Sequence, residues 1–316
     1  MVDVAFIIPA YNEAKYISQT IRSIHTNIDS KYTYEVIVID HGSTDETITL
    51  AKSVGATVLK KCEAVTISEL RNYGVSQSEG KFLVFIDADT TLTHEWKESF
   101  PPACDELMST KLLIGSKLDI PEKAHWISRL WFRVPKNEYQ PSHLGTGLMI
   151  LTRELFNEIG GFPIEQETGE DYEFCVRAKK IGAIIIARPA LRGIHHGVPA
   201  GIRQFFLREI WHGRGDWLNL QTVVRSKVAL VTIIFFLLHL ILLVDFIFSL
   251  TGFRLASLSL FTIFALCFAS SLRKYGDQNI VIIIANSAVF YLYYWARTLS
   301  FLSAMWRKSV KKRQRI

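Results

Sequence analysis

Acidic side chains are nearly missing from the C-terminal part of this chain: residues 226–316 hold only Asp245 and Asp277. Eleven of the 36 Lys and Arg lie in the same stretch, a balance of +9. The other 25 basic residues face 28 acidic ones in positions 1–225, a balance of −3. The pI of about 9.0 therefore belongs to the tail. Basic charge among apolar residues suits anionic lipid rather than nucleic acid. No basic patch of nucleic-acid type occurs in the first 225 residues, so no nucleic-acid partner is expected. Cysteine is scarce as well. Cys62, Cys104, Cys175 and Cys267 are not spaced as metal ligands, and they outline no disulfide framework. This fits a reducing, cytosolic face. A secretory leader is not expected either: no basic region precedes the first apolar run, and Pro9 ends that run early.

The first 200 residues show strands alternating with helices. Val4–Ile8, Tyr34–Ile39, Ala56–Leu59 and Phe82–Ile86 read as strands. Ala14–Asn27, Glu46–Val54 and Ile67–Ser78 read as helices between them. Further on, Trp96–Met108, Arg153–Ile159 and Tyr172–Ile181 read as helices, with strands at Lys111–Leu118, Leu148–Leu151 and Ala183–Ala187. Short loops in this alternation imply an α/β domain with a mostly parallel sheet and helices on both faces. Ligands of such sheets lie beyond the carboxyl ends of the strands. Asp40, the Tyr11 loop, Asp87 and Asp89 all fall there. Residues 121–141, rich in Trp, Lys, Arg and Pro, show no clear period and read as a variable loop or lid.

Phe82-Leu83-Val84-Phe85-Ile86 runs straight into Asp87-Ala88-Asp89. A continuous apolar run of this kind marks a strand buried on both faces. Two carboxylates at i and i+2 just past such a strand can converge on one hard cation, leaving room for phosphates. They can equally be a solvated turn. The Glu170-Asp171 pair opens a helix, where carboxylates are favoured by the dipole whether or not they do chemistry.

The tail is of a different kind. Val228–Leu250 is 23 residues long with one acid, Asp245; Leu255–Leu272 is uncharged; Ile280–Met305 is apolar and interrupted by Arg297. Such lengths span a bilayer. The positive-inside rule puts Arg225/Lys227, Arg273/Lys274 and the tail Arg307–Arg315 on the cytoplasmic side. Two crossings satisfy the first two clusters. A third would carry the basic tail outside, so the third segment is either re-entrant or interfacial, or the rule is broken. The alternative to spans is one very apolar helical domain. Gly201–Leu220 mixes Phe205, Phe206, Ile210, Trp211 and Trp217 with Arg203, Arg208, His212 and Arg214. It reads as an interfacial amphipathic helix or as a helix packed on the first domain. The expected organisation is a catalytic domain over 1–200, an amphipathic linker over 201–226 and a membrane region over 227–316 with two to three transmembrane helices.

Six short motifs in order resemble the family-2 inverting glycosyltransferases of the GT-A fold. They are Ile7-Ile8-Pro9-Ala10-Tyr11-Asn12-Glu13, Val38-Ile39-Asp40-His41-Gly42-Ser43-Thr44-Asp45, Arg71-Asn72-Tyr73-Gly74, Phe85-Ile86-Asp87-Ala88-Asp89, Gly145-Thr146-Gly147 and Gly169-Glu170-Asp171-Tyr172-Glu173. The resemblance covers about residues 3–197. It implies a nucleotide-sugar donor, UDP- or GDP-linked, with Mg²⁺ or Mn²⁺. It implies that Tyr11 stacks on the base, Glu13 accepts from the ribose, Asp40 reads the base, and Arg71 lies near the base and phosphates. Asp87 would face the ribose or donor sugar, and Asp89 would ligate the metal, with Asp87 beside it and His196 as a further ligand or diphosphate partner. The same motifs place Pro9, Ala88, Gly145, Thr146, Gly147 and Glu170 at the donor. Asp171 would be the base that takes the acceptor proton. His41 stands where Asn is usual in the family. The expected function is a membrane-anchored transferase, cytoplasmic-facing and multi-pass, working on a lipid-linked or glycan acceptor. A transferase charging polyprenyl phosphate itself and a non-catalytic nucleotide-binding scaffold are the alternatives. The Gln/Arg-x-x-Arg-Trp motif of polysaccharide synthases is not seen after residue 197.

Overall fold

The computed structural model describes residues 2–132, 137–166, 168–217 and 219–313, with side chains described up to 306. The basic tail from Arg307 therefore lies outside the described side chains. The chain divides into two compact units: residues 1–123 with 133–198, and residues 124–132 with 199–316.

The first unit is built on β1 (Val4–Ala10), α1 (Ile17–Asn27), β2 (Tyr34–Asp40), α2 (Thr47–Ser53), β3 (Thr57–Lys60), α3 (Ile67–Ser76), β4 (Phe82–Ile86), β5 (Thr90–Leu92), α4 (Trp96–Ser109) and β6 (Leu112–Gly115). After α5 (Trp126–Trp131), which belongs to the second unit, come β7 (Leu148–Thr152), α6 (Arg153–Ile159), α7 (Glu170–Lys180), β8 (Ile184–Ala187) and β9 (Gly193–His195). Seven strands form one sheet in the order β3-β2-β1-β4-β7-β6-β8. All neighbours run parallel except β7, which is antiparallel to both β4 and β6. A second, two-stranded sheet pairs β5 with β9 and brings Thr90 opposite His195.

Every residue of β1 and of β4 is buried, as expected of strands covered on both sides. Their side chains alternate between two cores. Val4, Phe6, Ile8, Phe82, Val84 and Ile86 meet α1 and α4 on one face. Ala5, Ile7, Leu83 and Phe85 meet α3, α6 and α7 on the other. Gly74 lets α3 lie flat on the sheet, because a Cβ there would stand 2.6 Å from Ile39 Cδ1 and 2.7 Å from Ile7 Cγ2. Sequence order reverses between β1 and β4, since β2 follows β1 to one side and β4 returns to the other. In open α/β sheets ligands bind beyond the strand ends at such a switch point.

The second unit adds α8 (Ile202–Gly213), α9 (Leu220–Arg225), α10 (Lys227–Phe248), α11 (Arg254–Tyr275) and α12 (Ile280–Arg313). Lys227–Phe248, Arg254–Tyr275 and Ile280–Trp306 are each long and apolar enough to cross a membrane. The 201–220 stretch is not one helix: α8 stops at Gly213 and a 3-10 turn covers Arg214–Trp217. Gly213 carries no side chain because a Cβ would meet Ser300 Oγ at 2.4 Å. Arg297, which breaks the apolar run within the continuous helix α12, is met by Glu209 at 3.2 Å and Asp216 at 3.3 Å. Asp245 is buried and ties the turn into α11: Thr251 N (3.0 Å) and Thr251 Oγ1 (2.9 Å) donate to one oxygen, Ala256 N (2.8 Å) to the other.

The loop or lid expected over 121–141 needs correction. Part of it is α5, and its Trp131 enters the core of the second unit. Trp131 packs on Phe205, Phe290 and Tyr293 at centroid distances of 5.2, 5.2 and 5.0 Å. Tyr275 Oη donates to its carbonyl at 2.6 Å. Six residues are too short a window for a helical period to show.

Candidate active site

The loop after β1 is sewn to the loop after β2. Asn12 N donates to Ser43 Oγ (2.9 Å), Glu13 N to Thr47 Oγ1 (2.7 Å), Ala14 N to Asp45 Oδ2 (3.1 Å) and Thr44 N to Asn12 Oδ1 (2.9 Å). Asn12 adopts φ +57°, a conformation that Asn tolerates better than most residues. These bonds fix the backbone that presents Tyr11 and Glu13. Tyr11 stands 56% exposed, its ring edge-on to His41 at 5.8 Å. His41 N still bonds Ala10 O (2.9 Å), so the His in place of Asn leaves this junction closed. Pro9 is paired with Ile39 inside the sheet, and Ala88 is buried with its carbonyl taken by Thr20 Oγ1.

Asp40 is fully buried at the end of β2. Its Oδ2 accepts from Gly42 N (2.9 Å) and Ser43 N (3.0 Å), while Oδ1 has no partner. Asp89 repeats the pattern beyond β4. Its Oδ2 lies 3.1 Å from His195 Nε2, and its buried Oδ1 is unpartnered. Gly197 closes over it, since a Cβ there would fall 1.9 Å from Asp89 Oδ2. His196 turns elsewhere. Its Nε2 is 2.9 Å from Thr91 Oγ1, its ring stacks on Tyr16, and burial pushes its pKa down against the pull of Asp89. The imidazole against the Asp89 carboxylate is thus that of His195.

Arg71, on α3, is buried and bridges two acids: Nη2 to Asp87 Oδ1 at 3.1 Å and Nη1 to Glu170 Oε1 at 3.0 Å. Burial raises the Glu170 pKa; Arg71 opposes this and Asp171 adds to it. Gly147 passes close to Asp87, where a Cβ would approach Oδ2 to 2.9 Å. Thr146 beside it is buried and Gly145 is exposed. Asp171 Oδ1 accepts from Tyr172 N at 2.7 Å, and its Oδ2 lies 3.7 Å from the point a Cβ would occupy on Gly145. Glu13 reports the density of negative charge here. Burial, then Asp89, Asp87 and Asp45, push its pKa up from 4.5 to about 7.

The structure therefore joins Arg71, Asp87, Gly147, Gly145, Glu170 and Asp171 through contacts, and Glu13 through its field to Asp87 and Asp89. Sequence reading missed His195 as the Asp89 partner, and Asn12, Asp45 and Thr47 as the stitching between loops. Asn12 and Asp45 lie inside quoted motifs. Nothing in one sequence separates the two adjacent histidines.

Two family profiles match the chain. "Glycosyl transferase family 2" covers residues 5–145, and "Glycosyl transferase family group 2" covers 82–295, more than half of the chain. The fold is that of a GT-A transferase, and the chain belongs to the family-2 glycosyltransferases. Glycosyltransferase AglE of Haloferax volcanii is 24% identical over 210 residues, 63% of this chain and 68% of that one. The poly(ribitol-phosphate) beta-N-acetylglucosaminyltransferase TarS of Staphylococcus aureus is 32% identical over 122 residues, 37% of this chain. The match spans only 21% of TarS. Among solved structures, mannosyltransferase PcManGT from Pyrobaculum calidifontis, in complex with GDP-Man and Mn²⁺, superposes with a TM-score of 0.61. It is 17% identical over 96% of this chain and 87% of its own, a likeness of fold.

Proposed function

We propose that the chain is a metal-dependent, inverting glycosyltransferase that moves a sugar from a UDP- or GDP-linked donor to a hydroxyl of a lipid-linked acceptor. One observation carries this reading. Asp40 and Asp89 each hold a buried carboxylate oxygen without a partner, one at the end of β2 and one past β4, on either side of the switch point. Such an oxygen is destabilising unless something arrives to satisfy it. An imino N–H of a nucleobase suits Asp40 Oδ1, with Tyr11 as the stacking face and Glu13 as acceptor for ribose hydroxyls.

Asp89 Oδ1 suits a hard divalent cation, Mg²⁺ or Mn²⁺. Among the described residues no three His, Cys, Asp or Glu side chains are gathered as a ready-made metal cage. Few protein ligands, with phosphates completing the shell, is how Mg²⁺ is commonly held at nucleotides. The residues present fit that role: Asp89 as direct ligand, Asp87 alongside and His195 behind the carboxylate, while His196 would have to leave Thr91 to join them. When bound, the cation neutralises charge developing on the leaving diphosphate. PcManGT carries Mn²⁺ with GDP-Man, and GalNAc-T7, at a TM-score of 0.52, carries Mn²⁺ with UDP and GalNAc.

The remaining steps fall to the chain's own groups. Arg71 keeps Asp87 aimed at the ribose or donor sugar, and Gly147 lets backbone approach it. Asp171 Oδ2 takes the proton of the acceptor hydroxyl as its oxygen bonds to the anomeric carbon. The bond from that carbon to the diphosphate oxygen breaks on the opposite face, which inverts the configuration. A base is needed for a hydroxyl far more than for an already ionised phosphate, so Asp171 favours a hydroxyl acceptor over polyprenyl phosphate. The three apolar helices tether the enzyme to the cell membrane, where the positive-inside rule puts the catalytic unit on the cytoplasmic side.

The test uses the full chain in lipid nanodiscs with a panel of UDP- and GDP-sugars and Mn²⁺ or Mg²⁺. One donor should raise the unfolding temperature only with metal present, and that donor should release its nucleoside diphosphate. No stabilisation and no release by any donor would overturn the proposal.

A further inference from the structure

We infer that Tyr172 and His143 form a platform for a sugar ring of the acceptor, so that the acceptor's reacting residue is itself a carbohydrate. This rests on the reading of Asp171 as the base. Tyr172 follows Asp171 directly and is 54% exposed. A single exposed Tyr needs no explanation on its own; this one is held in place. His143 packs edge-on against it at 5.5 Å and 78°. The loop that carries His143 is fastened along α7 at two points. Cys175 Sγ takes Leu144 N at 3.4 Å and faces Leu144 O at 3.9 Å, and Lys179 Nζ donates to Pro141 O (3.3 Å) and Ser142 O (3.0 Å). Tyr172 N in turn grips Asp171 Oδ1 at 2.7 Å. Base, ring and second ring therefore form one fixed unit, and Gly145 leaves Asp171 Oδ2 uncovered.

A pyranose has an apolar C–H face and a rim of hydroxyls. An aromatic face one residue from a carboxylate matches both parts at once. The charge argues against a phosphate acceptor here. Glu170, Asp171 and Glu173 all lie in the first turn of α7. Lys179 is held by the loop carbonyls of Pro141 and Ser142. Glu170 is paired with Arg71 and Glu173 with Arg177, so it is the Asp171 carboxylate that would repel an ionised phosphate and accept from a sugar hydroxyl.

The test uses the full chain in nanodiscs with the donor that the wild type turns over. Octyl β-glucoside, octyl β-galactoside and octyl α-mannoside are offered below their micellar concentrations, and dodecyl phosphate in parallel. Products are read by mass spectrometry. At least one octyl glycoside should become an octyl disaccharide, and dodecyl phosphate should not be glycosylated. Tyr172→Ala should raise the KM for that glycoside about tenfold and lower the ratio of transfer to hydrolysis by the same factor. Tyr172→Trp should stay within about twofold of the wild type. Glycosylation of dodecyl phosphate alone, or a glycoside KM unmoved in Tyr172→Ala, would overturn the inference while leaving the donor site intact. Absence of any donor turnover by the wild type would instead sink the reading of the active site, and the platform with it.

Discussion

Two acids at the strand ends of the first unit behave in the opposite way to the acids of the second. In the second unit Asp245 accepts from three donors, Glu209 is shared by Arg208 and Arg297, and Asp216 takes Arg297 and Ser226. In the first unit Asp40 and Asp89 keep an orphaned oxygen each, and Glu13 is crowded by like charges. A buried polar atom left unsatisfied destabilises the fold, and it survives where a ligand completes it. The satisfied acids of the second unit are structural; Asp40 and Asp89, beside the switch point, outline a binding site. Arg71 stands between these cases, since it satisfies two site carboxylates with one structural guanidinium.

This contrast can be broken in four places. Asp171→Asn should cut sugar transfer by about 10²–10⁴-fold, the range of a general base, and Asp89→Ala by about a hundredfold or more, both without a comparable fall in unfolding temperature. A scaffold without catalysis would show no turnover to lose. Next, Arg71→Met should lower stability by about 3–5 kcal/mol, because it strands the buried Glu170 and half-exposed Asp87. Thermal unfolding would check this, and an unchanged midpoint would mean the bridge is not formed. In the second unit Asp245→Ala should cost about 0.5–2 kcal/mol, as loss of a helix cap does, while donor release stays unchanged.

The smallest effect is a pH slope. The Glu13 pKa is raised from 4.5 to about 7 in the folded chain, so the folded state binds the proton more tightly than the unfolded one. Stability without metal should therefore be unaffected by this group below about pH 4.5, and should fall as pH rises from there to about 7. Urea unfolding in a chelator should show that slope, Glu13→Gln should flatten it, and Mn²⁺ should reduce it by neutralising Asp89 and Asp87. A slope of the same size in Glu13→Gln would place its origin elsewhere.

Much of this was legible in the residues alone. The apolar runs of β1, β2 and β4 could be read because burial on both faces leaves a local signature, and the acids at the ends of β2 and β4 stand directly beside those runs. The three membrane-length helices could be read because an apolar run long enough to cross a bilayer is itself a local signature. Arg71 could not be placed: its partners lie 16 and 99 positions away. Neither could His195 be told from His196, because the choice is made by the pairing of β9 with β5, two strands of three residues each.

Sequence by itself settled the family, the alternation of strands and helices, and the apolar character of the tail, since each is written in a window of neighbouring residues. Only the folded chain decided which carboxylate oxygens stay empty, which imidazole backs Asp89, and that Trp131 belongs to the core of the second unit. Those outcomes depend on side chains far apart along the chain competing for the same space and the same hydrogen bonds, and that competition is resolved only when the chain packs.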